Sequence, residues 1–133
     1  MNDICDIIVT TPKNKMADAA EEARQCIEAG GGYYFRKFPL KPKGLQAGSR
    51  IFYVENGYIR GFAKVSKIQY GEMVCDTTGK DYGVGYYATM PAWSWKWIKA
   101  LPMKGFQGFR YLPEEIGEQI EVIGDWTDPK PII

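Results

Sequence analysis

The sequence predicts an α+β fold, a small mixed and partly open β-barrel with one main amphipathic helix and short helical turns. Three observations carry that reading. One segment alone places apolar residues at steps of three and four, namely Met16, Ala19, Ala20, Ala23, Cys26 and Ile27. Most of the remaining chain breaks into six to eight short runs rich in β-branched and aromatic residues. Fifteen glycines punctuate it, several inside those runs (Gly61, Gly83, Gly85), which suits the bulges and close corners of a curled sheet.

The elements follow in order. "DICDIIVT" (3–10) reads as a first strand. Thr11 then offers an N-cap with Pro12 at the first helical position, and the helix runs about four turns to Gly30, Gly31 and Gly32. "YYFRKF" (33–38) is a second strand, followed by a polar loop punctuated by Pro and Gly (39–49). Asn56-Gly57 joins two β-rich runs in "RIFYVENGYIRGFAKV", and both turn residues tolerate the positive φ of a type I′ hairpin. "EMVCD" and "YGVGYYATM" suggest another hairpin around "TTGKD". "GFRYL" and "QIEVIGDW" are short strands near the end. Glu114, Glu115, Glu118 and Glu121 fall at helix-like steps and read as a solvated face.

At 133 residues the chain fits a single domain, 1–133. Its apolar runs are too short to span a bilayer, and the first residues carry acids where a secretory signal would carry bases. A soluble cytoplasmic protein is the expectation. There is no histidine, which removes Ser/His and Cys/His catalysis and the His-containing zinc sites. Cys5, Cys26 and Cys75 are widely spaced, form no C-x-x-C pair and read as small buried hydrophobes. No metal site and no cofactor are expected. The charge is polarised beneath a net of +1: residues 36–110 hold thirteen Lys/Arg against four acids (+9), residues 1–35 carry −3 and residues 111–133 carry −5. The middle therefore either presents a positive face or scatters its bases over several faces.

The order strand, helix, Gly turn, basic and aromatic strand, then "AGSRIFYV" with "IRGFAKV", resembles the PUA-like superfamily of small β-barrels, which includes the PUA, ASCH, EVE and YTH domains. "WKWIKALPMKGFQGFRYL" is similar to the closing aromatic segment of its bacterial and phage members. The resemblance spans roughly residues 4–124. It implies the fold first, and by analogy a domain that binds RNA or takes a single, often modified, nucleobase into an aromatic pocket. A few ASCH members are nucleases or small amidohydrolases. Their G-x-K-x-x-E-x-R signature, laid after the helix, puts its Gly on Gly30, but its Lys meets Gly32, its Glu meets Phe35 and its Arg meets Lys37. The Lys/Glu pair that could do chemistry is missing, so no catalytic residue is assigned.

Base recognition needs flat stacking surfaces, cations for phosphate and groups that read edges. Tyr34, Arg36, Lys37, Trp93, Trp95, Arg110 and Tyr111 are the candidate ligand-binding residues on that chemistry. "PAWSWKWIKALP" (91–102) spaces three tryptophans by two. We read a loop that becomes a short helix near Trp95, with Trp97 and Ile98 in the core and one or both of Trp93 and Trp95 free for a ligand. Arg36 and Lys37 are neighbours in a strand and face opposite ways. The expected partner is RNA, single-stranded or modified nucleic acid, or a nucleotide-like small molecule, with no membrane. The alternatives are a small ASCH-like hydrolase or ribonuclease using Lys64 or Lys80 with Asp76 or Asp81, and a protein–protein module whose aromatic strip is an interface.

Overall fold

The computed structural model describes residues 4–11, 24, 27, 28, 33–74 and 79–131. The predicted amphipathic helix falls almost wholly outside them; Arg24, Ile27 and Glu28, which are described, have helical backbone. Among the described residues no helix is long and apolar enough to cross a membrane.

The strands are β1 (Ile7–Thr10), β2 (Tyr33–Phe38), β3 (Arg50–Glu55), β4 (Tyr58–Lys64), β5 (Lys67–Val74), β6 (Asp81–Pro91), β7 (Lys96–Pro102), β8 (Phe109–Tyr111) and β9 (Val122–Asp125). A 3-10 turn, Ala92–Ser94, joins β6 to β7, and a one-turn helix α1, Glu114–Gly117, precedes β9. They assemble into a six-stranded sheet ordered β8-β1-β3-β4-β7-β9 and a three-stranded sheet ordered β2-β6-β5. The mixed, β-rich fold is as expected, and among the described residues both sheets are open. β1 and β3 run parallel, and everything between them serves as the crossover that such a pair requires.

Strands β3 and β4 are buried on both faces, which is why "RIFYV" and "YIRGFA" read as nearly continuous apolar runs rather than as alternation. One face contributes Ile51, Tyr53 and Ala63 to a main core with Ile7, Val9, Met90, Trp95 and Trp97. The other turns Phe52, Val54, Ile59 and Phe62 into a second core, covered by Met103, Phe106, Leu112, Ile116 and Ile120. The loop read as polar is anchored by one of its two leucines: Leu45 is fully buried, while Leu40 is exposed. The Asp6 carboxylate accepts from the Arg50 backbone N–H (2.7 Å) and guanidinium (2.8 Å), tying β1 to the start of β3.

The predicted Asn56-Gly57 hairpin forms between β3 and β4, both residues at positive φ (51° and 85°). The tryptophan segment departs from expectation. Its helical turn comes before Trp95, and a strand, not a helix, follows.

Candidate nucleic-acid interface

The turn at 92–94 is set by Ser94. Its hydroxyl donates to the Pro91 carbonyl (2.7 Å) and accepts from the Lys64 backbone N–H (3.0 Å), pinning the turn to the end of β4. Beyond it the chain is extended, so Trp95 and Trp97 share a side and both enter the main core. Trp97, expected in the core, is 1% exposed, and its indole N–H donates to the Asp128 carbonyl (3.3 Å). Trp95, expected at a ligand, is also 1% exposed. Its ring lies against Tyr53 and Trp97, and its indole N–H has no partner among the described residues. The Ser94-locked turn swings only Trp93 outward. Trp93 is 50% exposed and meets Tyr33, 49% exposed, edge to face at 5.3 Å.

Strand β2 displays the rest. Its register against β6 pairs Tyr33 with Pro91, Tyr34 with Met90, Arg36 with Ala88 and Lys37 with Tyr87. Positions 36 and 38 therefore face the main core, and 33, 35 and 37 face away from it. The Tyr34 side chain lies outside what the structure describes. Arg36 is half-buried on the core side, with no hydrogen bond or ion pair among the described residues. Lys37 crosses the outer face, its alkyl chain covering Gly85 and its ammonium donating to the Tyr82 carbonyl (2.6 Å). A Cβ at Gly85 would stand 2.7 Å from Lys37 Cε, so that glycine makes the crossing possible.

On the same outer face Phe35 packs edge-on against Tyr82 (5.0 Å) and Tyr87 (5.5 Å), and the Lys80 ammonium sits 4.9 Å above the Tyr82 ring. Lys67, paired with Thr89 at the start of β5, adds an exposed cation. Tyr87 is fully buried beneath this layer and donates its hydroxyl to the Gly83 carbonyl (2.5 Å). Burial, then the Asp81 and Glu72 carboxylates, pushes its phenol above the ordinary value, so it stays neutral. Tyr33, Phe35, Tyr82 and Lys67 were not among the candidates. Reading β2 with a period of two, as Tyr33-Phe35-Lys37, is the signal that finds the first two; Tyr82 and Lys67 come to this face only through the pairing of β6 and β5.

Arg110 and Tyr111 lie elsewhere, on the edge strand β8 of the other sheet. Arg110, opposite Ile8, stacks 4.2 Å over Phe106 on the second-core side. Tyr111 points to the other side and accepts from the Lys43 backbone N–H (2.8 Å). β8 reaches β2 only at its far end, where Phe38 meets Phe109 at 5.9 Å. Since β2 is six residues long, that end is roughly 16 Å from Tyr33. The predicted residues are strung along a strand rather than gathered in one pocket.

Of the residues considered for hydrolysis, Lys64 and Lys80 are exposed and Asp81 accepts from the Gly83 backbone N–H (2.8 Å); Asp76 lies outside the described residues. Among the described residues no cluster of three or more Cys, Asp or Glu is placed to hold a metal ion.

No protein-family model and no curated protein matches the chain. Among solved structures, ASCH from Zymomonas mobilis is similar to it, with a TM-score of 0.50 and 13% identity over 86% of this chain and 92% of that one. Two single-residue variants of the same protein match with TM-scores of 0.51. One is 12% identical over 87% of this chain and 99% of its own, the other 13% identical over 91% and 100%. At such identities the likeness is one of fold.

Proposed function

We propose that this chain, whose fold is of the ASCH type within the PUA-like superfamily, binds single-stranded nucleic acid or a nucleotide-like ligand and does not turn it over. The observation that carries the reading is the Trp93–Tyr33 pair. Both rings are half-exposed, and they stand at the end of a sheet face that also bears Phe35, Tyr82, Lys37, Lys67 and Lys80. A stacked base gains about 1–3 kcal/mol on such a ring whatever its identity, and the lysines answer the phosphates that follow it. The strand spacing suits an extended single strand, whose unpaired bases can turn onto aromatic rings.

The test is a titration of short single-stranded RNA, single-stranded DNA and modified nucleosides at two salt concentrations, followed by tryptophan fluorescence. Trp93 is the exposed reporter. Saturable quenching that weakens with salt is the expected outcome. No response to any of these ligands at low salt would sink the reading.

A further inference from the structure

Two charged residues of the β3–β4 hairpin are buried away from the aromatic face. Glu55 is 7% exposed and Arg60 is 5% exposed, and the two do not pair with each other. Burying an ion is costly unless it is partnered, so what partners these two is informative. Both partners come from one segment, the chain after β9. The Lys130 ammonium pairs with Glu55 Oε1, and Arg60 Nη2 donates to the Pro131 carbonyl (2.5 Å). The second Glu55 oxygen is buried with no partner among the described residues.

Arg60 is also placed by an irregularity. Against β3 the register passes from Tyr53↔Gly61 to Val54↔Ile59, and against β7 from Gly61↔Trp97 to Ile59↔Leu101. Arg60 is thus the extra residue of a bulge against β3, a device that re-aims a side chain, while against β7 it stands opposite three residues, 98–100, and the surplus lies in β7. The segment that answers it is a strap. Trp126 packs on the main core, and the Asp128 carbonyl accepts from Trp97 Nε1 and from Arg24 Nη2 (2.6 Å). Pro129 and Pro131 flank Lys130 and bias it toward extended backbone.

We propose that residues 126–131 form a releasable strap lying in a peptide-accepting slot, and that the opened slot takes a lysine-containing extended segment of another protein. Glu55 reads the lysine ammonium and Arg60 reads the carbonyl that follows it. The strap itself supplies the argument for that chemistry, because its Lys130 and Pro131 are what the two buried charges now hold. A preformed extended segment loses little entropy on docking, and the half-satisfied carboxylate leaves room for one more donor.

The test uses full-length protein and a synthetic peptide with the sequence of residues 124–131. In the wild type the tethered strap competes at an effective concentration on the order of millimolar. Lys130→Ala weakens the strap, so the peptide binds this variant about tenfold or more tighter than it binds the wild type. A peptide with norleucine in place of lysine does not bind, and Glu55→Gln loses that discrimination. Equal binding to both proteins, binding to neither, or binding indifferent to the lysine overturns the proposal. Wild-type hydrogen exchange decides the matter should Lys130→Ala fail to fold. A releasable strap lets the Trp97 indole N–H exchange before the backbone N–H of Phe52. Exchange of both only on global unfolding overturns it.

Discussion

At Gly61 the backbone of β4 runs directly beneath the indole of Trp95. An added Cβ would lie 2.4 Å from the Lys96 carbonyl oxygen and 2.5 Å from Trp95 Cζ2, and neither backbone nor a fully buried ring can give way easily. Gly61→Ala is expected to lower stability by about 1–3 kcal/mol in urea denaturation. Trp93, two residues from Trp95 in sequence, sits in the opposite environment. Trp93→Ala removes one edge-to-face contact, so its effect on stability stays within about 1.5 kcal/mol. On the proposed function the same change weakens ligand binding by about 1–3 kcal/mol, measured by titration against single-stranded RNA. A loss of stability without a loss of affinity would mark Trp93 as packing alone.

Single elements carry their own tests. In the β3–β4 turn, open space surrounds Gly57, so a side chain there meets nothing and suffers only from its φ of 85°. Gly57→Ala should cost about 1–2 kcal/mol by the same denaturation measurement, the price of a left-handed residue with a Cβ. The turn after β9 is built on Asp125, whose carboxylate accepts from the Thr127 hydroxyl (2.5 Å) and backbone N–H (2.9 Å). These bonds, led by the hydroxyl, hold the carboxyl below its ordinary value; burial opposes them and Lys96 assists slightly. A depressed folded value stabilises the turn above the unfolded value. That contribution fades as pH falls below about 4 and through the folded value. Thr127→Val should move the Asp125 titration upward, read by carbon-detected NMR, and an unmoved midpoint would assign the shift to something other than the hydroxyl.

Over the whole molecule, the charge pattern and the sheet arrangement meet at the three-stranded sheet. Lys37, Lys67 and Lys80 all belong to the +9 middle of the chain and to the elements of that sheet or its connection. If three phosphates are neutralised there, log K for a single strand falls with log salt at a slope of about −2. A slope near zero would leave stacking as the whole of the interaction. Replacing Lys67, whose exposed side chain makes no hydrogen bond or ion pair among the described residues, should reduce the slope by about 0.7 with little change in stability.

Short-range order was legible because it rests on local chemistry. The Asn56-Gly57 hairpin and the strands at 7–10 and 33–38 follow from turn preferences and β-branched runs. Trp97 is in the core as expected, but from a strand that sends Ile98 to the second core, not from the helical spacing that suggested it. The ASCH-type fold was legible for a related reason, since the segments carrying the resemblance are those whose spacing the hairpin dictates. Other features depended on residues distant in sequence. Trp95 and Trp93 look alike in the chain, and the turn that Ser94 pins to Pro91 and Lys64 separates them, one inward and one outward. The grouping of the strands into two sheets, each open among the described residues, is a property of pairing between distant segments. Nothing local in the sequence marks Glu55 and Arg60, on either side of the Asn56-Gly57 turn, for burial. Their burial arises seventy-odd residues later, where the chain returns to lay Lys130 and Pro131 across them.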